Sequence, residues 1–234
     1  MNRLDRETRC RVIAALIEGN SIRSTVRMTG VSKKAVSRLL VEVGAVAAEY
    51  QNLVMLNLTC RRLQLDELWT FNYCKQRNVT DRIKSKVPSA GDLWLWVAMD
   101  ADTKIVPCLL LGSRSATCAH EFISDLASRL RYKVQLTTDG HRPYLDAVET
   151  VFGGDINYAM LVKLYGPDPA EEERRYSPPK CIAAVPQPII GRPDPAHIST
   201  SFVERLNWSA RTSMRRYSGC RMASAARSRI TWQQ

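Results

Sequence analysis

A chain of 234 residues has room for one large domain, or for a medium domain with a small one beside it, and 45% apolar residues suffice for an ordinary core. Nowhere do about 18 uncharged apolar residues follow one another, so no membrane-spanning helix is expected. Lysine and arginine outnumber aspartate and glutamate by 34 to 23, a net charge of +11 that favours a polyanionic partner, most often nucleic acid, and no Lys-rich amphipathic helix points to a membrane surface instead.

The N-terminus, MNRLDRETRCRVIAAL, carries early charges of both signs and no small-residue cleavage site, so it does not read as a secretory signal. The seven cysteines are scattered and never spaced CxxC, which argues for reduced thiols in a cytosol and against a disulfide framework or a zinc site.

In chain order, residues 1–44 read as a small all-α domain of three short helices. In DRETRCRVIAALIEG the apolar Val12, Ile13, Leu16 and Ile17 share a face, and Gly19 follows as a stop. Ser21 is a candidate N-cap for the second helix and Gly30 its terminal turn; Ser32 is the N-cap of the third, whose Val36, Leu39, Leu40 and Val43 point inward. Helix, glycine-containing turn and helix follow with helix-turn-helix spacing. Ser32, Lys33, Lys34, Ser37 and Arg38 then fall where a recognition helix meets a major groove. The plain alternative is a three-helix bundle with solvated basic side chains.

Residues 45–60 read as a helical connector. From 61 the pattern turns strand-rich: RRLQLDELWTFNY as a strand, NVTDRIKSKVPSAG as a basic loop, and DLWLWVAMDADTKIVPCLLLG as two apolar runs around a hairpin turn. TCAHEFISDLASRLRY follows as a helix, KVQLTTDG as a strand, HRPYLDAVETVFG as a helix and INYAMLVKLYG as a last strand. Residues 166–198 hold eight of the 11 prolines and read as irregular; STSFVERLNWSARTSMRR is a final helix capped by Ser199, Thr200 or Ser201. This order fits an α/β domain over 61–216: a ribonuclease-H-like mixed five-stranded sheet flanked by helices, preceded by the helix-turn-helix domain.

Three acids stand out. Asp66 lies in the middle of an apolar strand, where a charge is costly unless it is paired or bound to a cation. Asp139 ends a second strand that should lie beside the first, and Glu204 sits on the late helix. Converging carboxylates repel, and two Mg²⁺ ions, with Mn²⁺ as a substitute, would remove that penalty through hard oxygen ligands. Strand alternation places the neighbouring Glu67 on the opposite face from Asp66. Taken singly, Asp139 before Gly140 could be a turn residue and Glu204 a helix N-terminal acid. Asp100 and Asp102 fit a hairpin turn. Glu204, Asn207 and Arg211 are spaced i, i+3, i+7 and share a helix face, where Asn207 and Arg211 could steady the carboxylate or meet a phosphate.

Together, LDELWTF, LWLWVAMDADTKIVPCLLLGSR, LTTDGHRPYLDAV and HISTSFVERLNWSARTSMRR resemble, in that order, the IS-one-like group of bacterial insertion-sequence transposases. The resemblance covers 61–216 and implies a DDE triad of Asp66, Asp139 and Glu204 on a ribonuclease-H-like core. It further implies Mg-dependent strand cleavage and transfer on double-stranded DNA, at element ends and target, by a homo-oligomer on the bacterial nucleoid in the cytoplasm. The zinc-finger motif of some relatives is absent. The tail, 217–234, departs from the family, and its end, GCRMASAARSRITWQQ, can be back-translated so that an adjacent frame reads like the family's continuation. The expectation is a truncated, frameshifted copy; a gene whose adjacent frame lacks that continuation sinks it. Two other classes compete: a catalytically inactive copy that only binds DNA and represses, and a transcription regulator with a ligand-binding second domain.

Overall fold

The computed structural model describes residues 4–166, 180–214 and 217. By compactness the chain forms two units. One holds residues up to Val54 with Trp69–Trp94 and those from Leu206 on; the other holds Met55–Leu68 and Leu95–Arg205.

In the first unit α1 (Arg6–Ile17), α2 (Ile22–Thr29) and α3 (Lys33–Val54) enclose a core of Val12, Val31, Val36 and Leu39. Each start is capped by the side chain the sequence offers: Asp5 accepts from the Thr8 N–H, Ser21 from Ser24 and Ser32 from Ala35. Gly30 ends α2 at φ 71°, the left-handed conformation that lets the chain reverse into α3. The third helix continues unbroken through residue 44 to Val54. The basic stretch expected as loop contains a short helix, α4 (Asp81–Lys86), started by Thr80.

Six strands form one mixed sheet in the order β3-β2-β1-β4-β5-β6: β1 (Arg62–Asn72), β2 (Gly91–Asp100), β3 (Leu109–Gly112), β4 (Gln135–Asp139), β5 (Asn157–Gly166) and β6 (Lys180–Ile190). Helices α5 (Ala116–Arg129), α6 (Pro143–Phe152) and α7 (Ser201–Ser213) complete the α/β architecture. It is compatible with the ribonuclease-H-like arrangement, with one strand more than the five expected. The addition, β6, lies in the stretch read as irregular; residues 167–179 of that stretch and the tail 218–234 lie outside the described residues. Prolines hide the strand. Pro186 and Pro188 are two apart, so both missing N–H groups fall on the same side, which an edge strand can leave unpaired.

Strands β1 and β4 pair in parallel, with Gln64 opposite Thr137. Two residues further along each, the same register sets Asp66 opposite Asp139, on the same face. Burying Leu63, Leu65, Leu68, Leu136 and Trp96 holds these strand ends rigidly. At about 25 cal/mol per Å² of apolar surface, such side chains stabilise by about 2 kcal/mol each. The hairpin turn expected between β2 and β3 is present: Asp100 accepts from the Thr103 N–H and hydroxyl.

Candidate metal centre

The carboxylates of Asp66, Glu67 and Asp139 converge, with ligand oxygens all within 4.8 Å of one another. Glu67 corrects the sequence reading, which set it on the far face. Asp139 is the last residue of β4, and the Glu67 N–H donates to Asp66 Oδ1 at 2.8 Å.

The three acids differ in access. Asp66 and Asp139 line an open cleft of about 760 Å³, together with Arg114, His141, Arg142, Lys163 and Glu204. The Glu67 side chain is 1% exposed. Its Oε2 accepts from Arg114 Nε at 3.0 Å, and the same guanidinium reaches Asp139 Oδ2 at 3.5 Å. Glu67 Oε1 is sealed from solvent, and the Tyr144 hydroxyl beside it does not reach a hydrogen bond of normal geometry. Burial above all, and then the Asp139 charge, push the Glu67 carboxyl up to about 7 despite the pull of Arg114.

An aromatic wall lies beneath. Trp96 and Tyr144 are fully buried, edge to face at 5.4 Å, and the His141 ring lies 5.8 Å from each. Burial and the Arg114 charge lower the His141 pKa, and the backbone N–H of His141 donates to Asp139 Oδ1 at 3.0 Å.

Glu204 shares the cleft and is held separately from the other three: Lys163 Nζ lies 2.5 Å from its Oε1, which also accepts from the Thr200 hydroxyl. Its helix is anchored from the strand. Gln64 Oε1 accepts from the Phe202 and Val203 N–H groups, the free donors of the first turn of α7. On the same helix Asn207 is buried and Arg211 exposed. On α3, Ser32, Lys33, Lys34 and Arg38 are exposed and Ser37 is half-buried.

Two charges about 4.8 Å apart repel by about 3.5 kcal/mol at an effective dielectric of about 20. Arg114 offsets part of that repulsion for Glu67 and Asp139. The donors are all carboxylate oxygen, which suits a hard divalent cation. The sequence reading missed Glu67, Arg114 and Lys163 as parts of this site, because it looked for the acids' side-chain partners only on their own helix, and Arg114 and Lys163 come from distant parts of the chain.

No protein-family model matches the chain, and no curated protein matches it. Among solved structures it is similar to piggyBac transposase in a cryo-EM synaptic complex with hairpin DNA, at TM-score 0.38 and 10% identity over 75% of this chain and 46% of that one. The chain thus spans less than half the length of that protein, and the functional conclusion rests on the site's own geometry.

Proposed function

We propose that the chain is a DNA transposase of an insertion sequence, of the IS-one-like kind, whose ribonuclease-H-like core cuts element ends and joins them to target DNA. One observation carries this: Asp66 and a sealed Glu67, in the middle of β1, converge with Asp139 at the end of the adjacent parallel β4, beside an open cleft that Asp66 and Asp139 share with Glu204. A site with three acids on its floor and Arg114, Arg142 and Lys163 around it suits a phosphodiester held beside divalent cations.

In this reading Asp66 and Asp139 hold Mg²⁺, with Glu204 as the third acid of the DDE set. Two such ions, when bound, supply the positive charge that activates the attacking oxygen and stabilises the leaving one. The residues of the chain orient the substrate around them. Water attacks the end phosphodiester and breaks its bond to the 3′ oxygen; the freed 3′-hydroxyl then attacks a target phosphorus and displaces one strand oxygen. Ser32, Lys33, Lys34, Ser37 and Arg38 meet DNA through the α2–α3 turn, and Arg211, with Asn207 behind it, adds contacts from α7. Val46, Tyr50 and Leu53, exposed at i, i+4, i+7 on α3, offer a second copy an apolar face, as a homo-oligomer on DNA requires.

The test uses purified chain, Mg²⁺ and duplex end DNA. The parent is expected to nick the DNA, and EDTA, Asp66→Asn, Asp139→Asn and Glu204→Gln each to stop it. Mg²⁺ should raise the parent's Tm, and raise it less in each variant. Binding without nicking favours the repressor reading; neither binding nor a response to Mg²⁺ removes both.

A further inference from the structure

Glu67 has no part in the DDE scheme, yet it forms with Arg114, one of the cations around the cleft, an ion pair whose acid is sealed from solvent. We propose that Arg114 clamps a DNA backbone phosphate there and that Glu67 is the positioning residue that aims it. This rests on the nuclease reading above and deepens it.

The geometry separates Glu67 from the other acids. Asp66 and Asp139 line the cleft, and Glu67 does not. With its side chain 1% exposed, Glu67 is out of reach of anything arriving from solvent, but it holds Arg114 Nε at 3.0 Å. Arg114 is 36% exposed along its side chain and lines the cleft, so it spans from the sealed carboxylate to the open site. Its bond to Glu67 uses Nε, while one terminal nitrogen stands a looser 3.5 Å from Asp139 Oδ2.

A guanidinium presents its donors in a fixed planar fork that matches the oxygens of a phosphate. Anchoring it through Nε removes most of the freedom such a side chain loses on binding, so the charge is already aimed when DNA arrives. The tight contact is with the buried Glu67 and the loose one with Asp139. A cation on Asp139 therefore competes only for the loose contact, and the released nitrogen turns to the phosphate while Nε stays. The buried Tyr144 and Trp96 below keep water from the anchoring pair and strengthen it.

The experiment is a double-variant cycle on the full chain, with duplex DNA of arbitrary sequence as the probe, affinity measured across a salt series in Mg²⁺, and Tm followed against Mg²⁺ alone. Arg114→Ala is expected to lower the slope of log affinity against log salt by about one. Glu67→Gln should do nearly the same, and the double variant should lose no more than either single. Glu67→Gln should keep the Mg²⁺-induced rise in Tm that Asp66→Asn loses. Arg114→Lys keeps the charge without the fork, so the slope should hold while affinity falls; it also serves if Arg114→Ala does not fold. Additive losses in the double variant overturn the clamp, and loss of the Mg²⁺ response in Glu67→Gln makes Glu67 a ligand and overturns it too. A parent that neither binds DNA nor responds to Mg²⁺ overturns the nuclease reading and the clamp with it.

Discussion

Glu67 is a carboxyl sealed where its charge is disfavoured. Its carboxyl is raised from 4.5 to about 7, chiefly by burial. A carboxylic acid whose folded pKa lies above its unfolded value binds its proton more readily in the folded state, so its contribution is full below about pH 4.5 and is lost as pH rises toward 7. Glutamine cannot ionise. The Tm of metal-free Glu67→Gln, measured against the parent, is therefore expected to improve steadily as pH rises through that window. A difference that is flat with pH would mean Glu67 stays charged, held so by Arg114. The same tension reaches the open site, since Arg114 contacts both this sealed acid and Asp139.

Among the elements, α7 shows how a helix is placed by a strand. Its first-turn N–H groups of Phe202 and Val203 are met by Gln64 from β1, two residues before Asp66 in that strand. The cap thereby ties the position of Glu204 to that of Asp66. Gln64→Ala is expected to cost about 1 kcal/mol, the usual value of a lost N-cap, and to lower Tm by about 2–4 °C. It should also weaken the Mg²⁺ response, although residue 64 touches no cation. If Tm falls and the Mg²⁺ response is unchanged, the cap is structural only. At the other end of the sheet, β6 follows a different logic, as an edge strand that accepts two prolines because only one of its sides must pair.

At the scale of the molecule, the core of α1–α3 is built on Val12, Val31, Val36 and Leu39, with Leu4, Ile13, Leu16, Ile22, Val26, Ala35 and Val43 packed against it, all before residue 54. The acid cluster lies wholly within Met55–Leu68 and Leu95–Arg205. A chain beginning at Met55 is therefore expected to keep the Mg²⁺-induced rise in Tm and to lose sequence-selective DNA binding. The triple change of Lys33, Lys34 and Arg38 to Ala in the full chain should mimic that loss, lowering the salt slope by about three. A Met55 chain that still selects element ends would move recognition away from α3, and one without a sheet by circular dichroism would refute the separation.

The sequence by itself determined what local chemistry controls. Ser21, Gly30 and Ser32 set the limits of α2 and the start of α3 because caps and left-handed turns act within four residues. Alternation and period marked β1, β2, β4 and β5 and the helices between them, and an acid in an apolar strand singled out Asp66. What lies across the sheet was decided only by the tertiary structure. That Gln64 would cap α7, that Arg114 would bridge Glu67 and Asp139, and that Lys163 would pair with Glu204 each depend on residues dozens of positions apart meeting in space. Glu67 is the clearest instance. Alternation assigns it a face, but its carboxylate lies with those of Asp66 and Asp139 and is held by Arg114, 47 residues away in sequence. Local rules choose a side chain's face; its neighbours, and the charges that stabilise it, are chosen by the packing of the whole chain.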